Sequence, residues 1–213
     1  MTTTVYFDLD GTLLDYETPF DTWFERTVPV EATAAITETF GSNLTASLDS
    51  FEPDPYERAF EVVCNEYGID ADPEALATTF VDTEVAATRV APSVRRLVAS
   101  VAERHQSGIL TNGNETVQRR KVETHGLDEL VDEIVVSEEV GARKPDAGIF
   151  ETAKERLPAD AFVFVGDSYE TDIVPAQEHG FETVYVGDDH RPDATVAAAN
   201  TEALASLLRP LVG

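Results

Sequence analysis

Two carboxylates, Asp8 and Asp10, stand two residues apart directly after the apolar run Val5-Tyr6-Phe7. Side chains at i and i+2 point to one side of an extended chain, so both acids share a small volume just past a strand end. Two carboxylates that close repel each other unless a cation sits between them or one takes up a proton. Cation binding and proton transfer are therefore the chemistry this pair can do; the plain alternative is a capping turn with incidental acids. Gly11 permits the turn that follows, and apolar strand, paired acids and Gly11-Thr12 fall in one run.

Three later stretches also combine chemically useful residue types. Thr111-Asn112-Gly113 follows a short apolar run and opens a helical pattern. A hydroxyl, exposed backbone amides and a helix amino terminus together suit an oxyanion; an ordinary polar turn capping a helix is the alternative. The loop Gly141-Ala142-Arg143-Lys144-Pro145-Asp146 holds one of the three lysines in the chain. Pro145 fixes the backbone there and favours a defined lysine position, against the alternative of a solvated lysine. Gly166-Asp167-Ser168-Tyr169-Glu170-Thr171-Asp172 places two further acids after another apolar run. Helix capping is the alternative role for Asp167, and surface solvation for Asp172.

The elements that must position these residues follow from periodicity. Val5-Tyr6-Phe7 is bounded by polar residues and reads as a strand buried on both faces. From Asp15 to Arg89 no such run occurs, and apolar positions recur at helical spacing, most clearly at Tyr56, Ala59, Phe60, Val63 and Tyr67. Pro55 suits the start of that helix and Gly68 its end. A further helix is expected from Pro73 through Glu84, with weaker patterns over Pro19 to Arg26 and Val30 to Phe40. Phe20, Trp23, Phe24, Phe51 and Tyr56 are expected to form the core of this helical insertion.

After Pro92 helix and strand alternate. Strands are expected at Gly108–Leu110, Ile134–Val136, Phe162–Val165 and Thr183–Val186, and Leu204, Leu207 and Leu208 face a closing helix. Alternation implies a doubly wound, parallel, five-stranded Rossmann-like α/β sheet. Right-handed crossovers put strands two and three on one side of strand one and strands four and five on the other. The switch point then lies between strands one and four, where a crevice opens, and Asp8 and Asp167 are predicted to meet there. The expected division is residues 1–14 and 90–213 as the α/β core, with 15–89 as an inserted helical cap.

The run from Val5 to Leu14 resembles the first motif, hhhhDxDGT, of the haloacid dehalogenase-like (HAD) hydrolase superfamily. With Thr111, Lys144 and the Asp167–Asp172 stretch, the chain resembles all four motifs of that superfamily, in order, across nearly its whole length. The helical insertion resembles the cap of its subfamily I. The run from Thr111 to Phe150 is similar to the branch of small-molecule phosphatases, nucleotidases and dehalogenases. The resemblance implies Asp8 as nucleophile and Asp10 as general acid and base, with Thr111, Asn112, Gly113 and Lys144 holding phosphate. It implies a magnesium ion (Mg2+) bound by Asp8, the backbone carbonyl of Asp10 and Asp167, with Asp172 in support. A magnesium-dependent phosphatase of small phosphomonoesters, working through an aspartyl-phosphate, is then the expected function, with nucleoside monophosphate the first substrate and phosphoglycolate or a sugar phosphate next. A 2-haloacid dehalogenase is the near alternative, although dehalogenases of that family lack the second acid of the first motif. A phosphomutase keeps both acids. A phosphoacceptor signalling domain or a silent binding protein is the alternative of a different class.

Composition bounds the rest. The net charge is −26, from 41 acids against 15 bases, with the acids spread along the chain. No basic face exists to meet nucleic acid in bulk, and a dispersed acidic surface poor in lysine fits adaptation to high salt. No run approaches the length of a membrane span. Met1-Thr2-Thr3-Thr4 leads directly into a strand without an apolar signal segment, so a cytoplasmic protein, monomer or homodimer, is expected. The single cysteine, Cys64, falls on an apolar helical stripe and reads as a buried, inert thiol. Arg119-Arg120-Lys121 reads as a solvated helix face, with attraction of an anionic substrate as the alternative. His105, His125, His179 and His190 show no metal-ligand spacing and are given no role.

Overall fold

The computed structural model describes residues 1–187 and the strand Val196–Ala198. The closing helix expected at Leu204 to Leu208, and His190, lie outside the described residues. Contacts divide the chain into two compact units: Met1–Asp15 with Arg89–Gly213, and Tyr16–Thr88.

The first unit opens with β1 (Thr3–Phe7), whose last four residues are buried. At the passages between units the short strands β2 (Asp15–Tyr16) and β3 (Thr88–Arg89) pair with each other. The second unit carries α1 (Phe20–Thr27), α2 (Ala34–Asp49), α3 (Pro55–Tyr67) and α4 (Pro73–Ala86). Pro55 and Pro73 open their helices, where a missing N–H costs nothing. Gly68 closes α3 in the left-handed conformation at φ 64°. Phe24, Phe40, Phe60 and Phe80 pack at the centre of this unit, with the Phe40 and Phe60 rings 4.3 Å apart. Trp23, Phe24, Phe20 and Tyr56 take part in that cluster as expected. Phe51 does not reach full burial; it stands just past α2 at φ 53° and is half-buried. The helix α2 also runs from Ala34 to Asp49, beyond the expected Phe40, because small and apolar residues continue its inner stripe to Leu44 and Leu48.

Back in the first unit follow α5 (Pro92–Ala102), β4 (Gln106–Thr111), α6 (Glu115–Thr124), β5 (Glu133–Val136), the single turn α7 (Ser137–Val140), α8 (Ala147–Arg156) and β6 (Ala161–Gly166). A π-helical turn, Tyr169–Ile173, leads into α9 (Val174–Glu178), β7 (Glu182–Val186) and β8 (Val196–Ala198). The sheet is parallel with strand order β5-β4-β1-β6-β7-β8. All five expected strands are present in the expected order, and β8 adds a short sixth at the edge. Val5 and Phe7 face one layer with Val94, Leu97, Val98 and Val101 of α5. Tyr6 faces the other with Ile149, Phe150 and Ala153 of α8. Burial on both faces is why these strands are continuous apolar runs.

Candidate active site

The site grows from two neighbouring strand ends. In the β1–β6 register Phe7 stands opposite Val165, and the Asp8 N–H donates to the Val165 carbonyl at 2.8 Å. Asp8 and Asp167 therefore leave the sheet side by side at the switch point. Gly11, at φ 84°, turns the chain after Asp10, and a Cβ there would run into the Asp167 carboxylate. The Thr12 hydroxyl donates to Asp167 at 3.3 Å.

Asp172 is brought back by the π-helical turn, in which the Asp172 and Ile173 N–H groups both donate to the Ser168 carbonyl, at 3.0 and 3.2 Å. Its carboxylate accepts the Ser168 N–H at 3.1 Å, and the residue is 1% exposed, so surface solvation does not describe it. A Cβ on Gly166 would lie 2.5 Å from an Asp172 carboxylate oxygen, so β6 has to end in glycine. Carboxylate oxygens of Asp8, Asp167 and Asp172 lie within 4.8 Å of one another.

Lys144 is buried between two of these acids. Its Nζ donates to Asp8 Oδ1 and Asp172 Oδ1, each at 2.7 Å, and lies 5.3 Å from the centre of the Phe164 ring. The Asn112 side chain fixes its backbone from both sides: Asn112 Oδ1 accepts the Lys144 N–H at 2.8 Å and Asn112 Nδ2 donates to the Lys144 carbonyl at 2.9 Å. The Lys144–Pro145 peptide is cis. Asp8, Asp10, Thr111, Asn112, Lys144, Asp167 and Asp172 line one crevice. Gly113 departs from expectation: its N–H donates to the Ser137 hydroxyl at 2.9 Å, so that amide ties two loops together and is not directed to a ligand.

Asp10 takes a different course from Asp8. Its side chain is absent from the carboxylate trio and turns toward α6, where Asp10 Oδ2 accepts Gln118 Nε2 at 2.7 Å and Asp10 Oδ1 accepts Lys121 Nζ at 3.1 Å. A metal role for Asp10 is thereby left to its backbone carbonyl. Gln118 and Lys121 are 3% and 2% exposed and carry no signal in a hydropathy stripe. Lys121 thus does not belong to a solvated face. Arg119 does face outward and pairs with Glu115 at 3.1 Å and Glu139 at 2.8 Å.

Burial pushes the Asp8 carboxyl well above the usual carboxylate range, with Lys144 opposing and Asp172 and Asp167 adding to the rise. Asp167 is raised as well, first by burial and then by Asp172. Burial disfavours the Lys144 ammonium, but Asp8 and Asp172 outweigh this and hold it above its ordinary value. Three carboxylates against one ammonium leave the trio with surplus negative charge. Such a set of hard oxygen donors fits a divalent cation such as magnesium.

Residues 2–180 match the family of haloacid dehalogenase-like hydrolases. The chain belongs to that family, and its curated relatives place it toward the phosphatases within it. It is 27% identical over 195 residues to the glyceraldehyde 3-phosphate phosphatase of Methanothermobacter thermautotrophicus, covering 87% of this chain and 85% of that protein. It is 29% identical over 126 residues to the pyrimidine 5'-nucleotidase YjjG of Escherichia coli, a match spanning 58% of this chain and just 56% of that enzyme. Among solved structures, the HAD-hydrolase YfnB of Bacillus subtilis superposes with TM-score 0.77 at 22% identity, over 98% of this chain and 99% of that one. The L-2-haloacid dehalogenase of Xanthobacter autotrophicus gives 0.74 at 18%, over 98% and 99%. At these identities the superpositions establish the fold and do not separate the two chemistries.

Proposed function

We propose that this protein is a magnesium-dependent phosphatase of small phosphomonoesters that works through an aspartyl-phosphate on Asp8. The observation that carries the reading is the Lys144 ammonium held 2.7 Å from Asp8 within the carboxylate trio, in a crevice that the second acid, Asp10, also lines. Asp8 and Asp167, supported by Asp172 and the Asp10 carbonyl, would hold the cation. Bound there, magnesium neutralises charge on carboxylate and phosphate together. Asp8 attacks phosphorus, and the bond to the leaving oxygen breaks. Asp10 gives that oxygen its proton, then takes one from the water that hydrolyses the acyl phosphate. Lys144 and the Thr111 hydroxyl stabilise the charge on the transferring group. Asn112 contributes by fixing Lys144.

The segment 15–89 would act as the cap that screens the organic part of the substrate and excludes water. Nucleoside monophosphates and glyceraldehyde 3-phosphate are the first substrates to test, following the two relatives, with phosphoglycolate beside them. Asp10 disfavours the dehalogenase reading, because carbon–halogen cleavage needs no acid for the leaving group. The test is phosphate release from this panel in magnesium, beside halide release from a 2-haloacid. Halide without phosphate would overturn the reading.

A further inference from the structure

Asp10 stands in the turn after β1, one residue before a glycine at φ 84°. Its two oxygens are taken up by one face of α6. Gln118 and Lys121 are three residues apart on that helix and so project to the same side. Gln118 Nε2 lies 2.7 Å from Asp10 Oδ2, and also 2.8 Å from the Thr111 hydroxyl and 3.1 Å from the Asn112 carbonyl. One amide thereby joins the proposed proton donor to the loop proposed to hold phosphate. Lys121 Nζ lies 3.1 Å from Asp10 Oδ1, with its side chain 3% exposed against 29% for Asp10. A lysine so deeply buried is rare without a charged partner, and here the partner keeps one edge open to the crevice.

The helix itself is anchored. The Asn114 side chain accepts the Val117 N–H at 3.2 Å, while Glu138 accepts Asn114 Nδ2 at 2.9 Å and the Glu115 N–H at 2.7 Å. Asp10 lines the crevice and the two donors are not among its lining residues.

We infer that Gln118 and Lys121 are positioning residues: they fix the Asp10 carboxyl in the orientation from which it meets the leaving oxygen. This rests on the phosphatase reading above. Lys121 acts on the Asp10 carboxylate, and so on proton transfer, whereas Gln118 holds both that carboxylate and the Thr111 hydroxyl.

The test uses the whole protein with magnesium and two substrates. An alkyl phosphate needs its leaving oxygen protonated; p-nitrophenyl phosphate does not. Lys121→Met and Gln118→Leu should lose on the order of 10- to 100-fold in kcat/KM on the alkyl phosphate, the cost of a misplaced catalytic group. On p-nitrophenyl phosphate the loss for Lys121→Met should be about threefold or less, because that step draws little on general acid catalysis, while Gln118→Leu, which also releases the Thr111 hydroxyl, should lose more there. Lys121→Arg should recover most of the alkyl-phosphate rate. In an Asp10→Asn background Lys121→Met should add no further loss, as expected for groups acting as one unit. Equal losses of Lys121→Met on both substrates, or a full additional loss in the Asp10→Asn background, would overturn the positioning role while the phosphatase reading stands. Should Lys121→Met fail to fold by circular dichroism, Lys121→Gln decides by the same ratio. Wild-type protein inert toward both phosphates would overturn the phosphatase reading and the positioning role with it.

Discussion

At the scale of single residues, one buried ammonium and, in the proposed mechanism, a divalent cation would divide three carboxylates. Asp10→Asn should reduce turnover of unactivated phosphomonoesters on the order of 10²–10⁴-fold, the usual worth of general acid–base catalysis. A normal rate would mean the proton travels by another route. The raised carboxyls of Asp8 and Asp167 give a pH dependence of definite sign. A carboxyl whose folded value is raised contributes stability that is fully present below the ordinary carboxylate range and is lost as pH rises through the raised value. Magnesium offsets that loss only where the groups are ionised, so it should raise Tm more at pH 7.5 than at pH 5. Equal shifts at both pH values, measured by calorimetry, would contradict the proposed ligands. The places of Asp8 and Asp167 were legible in sequence, because each follows a strand-like run whose end fixes it. Gln118 and Lys121 were not, since their partner Asp10 lies more than a hundred positions earlier. The one available signal was their placement between Val117 and Val122, which completes a buried helical face.

At the scale of elements, parallel strands buried on both faces announced themselves as apolar runs, and right-handed crossovers then dictated their order. The π-helical turn after β6 was not legible. It depends on the Ser168 carbonyl taking two successive N–H groups, a choice made by the buried Asp172 rather than by local propensity. Phe51 was misjudged because an aromatic reads as core, and α2 ran past the expected Phe40 because its inner face continues to Leu44 and Leu48 in the packed cluster. The close approach at Gly166 gives an element-scale prediction. Gly166→Ala should push Asp172 aside, lowering phosphatase activity at least about tenfold and stability by about 1–3 kcal/mol, as overpacking does. A variant with unchanged activity and denaturant midpoint would show that Asp172 can move without consequence.

At the scale of the whole molecule, 41 acids face 15 bases. Of the three lysines, Lys144 and Lys121 are buried against acids of the site, and Lys154 Nζ donates to the His179 carbonyl at 2.9 Å. Two of the three lysines are therefore committed inside the fold and do not offset the surface acidity. The Debye length falls from about 10 Å at 0.1 M to about 3 Å at 1 M salt, so Tm should climb steadily from dilute buffer into molar potassium chloride. A flat dependence would remove salt adaptation as the reason for the composition. Among the described residues no helix is long and apolar enough to cross a membrane. The central claim is that Asp8 carries the transferred phosphoryl group, and Asp8→Asn tests it most directly. With magnesium and a phosphomonoester that the wild type hydrolyses, the folded variant should release no measurable phosphate, because an amide cannot act as the nucleophile. Phosphate release at a tenth of the wild-type rate or more would contradict the account.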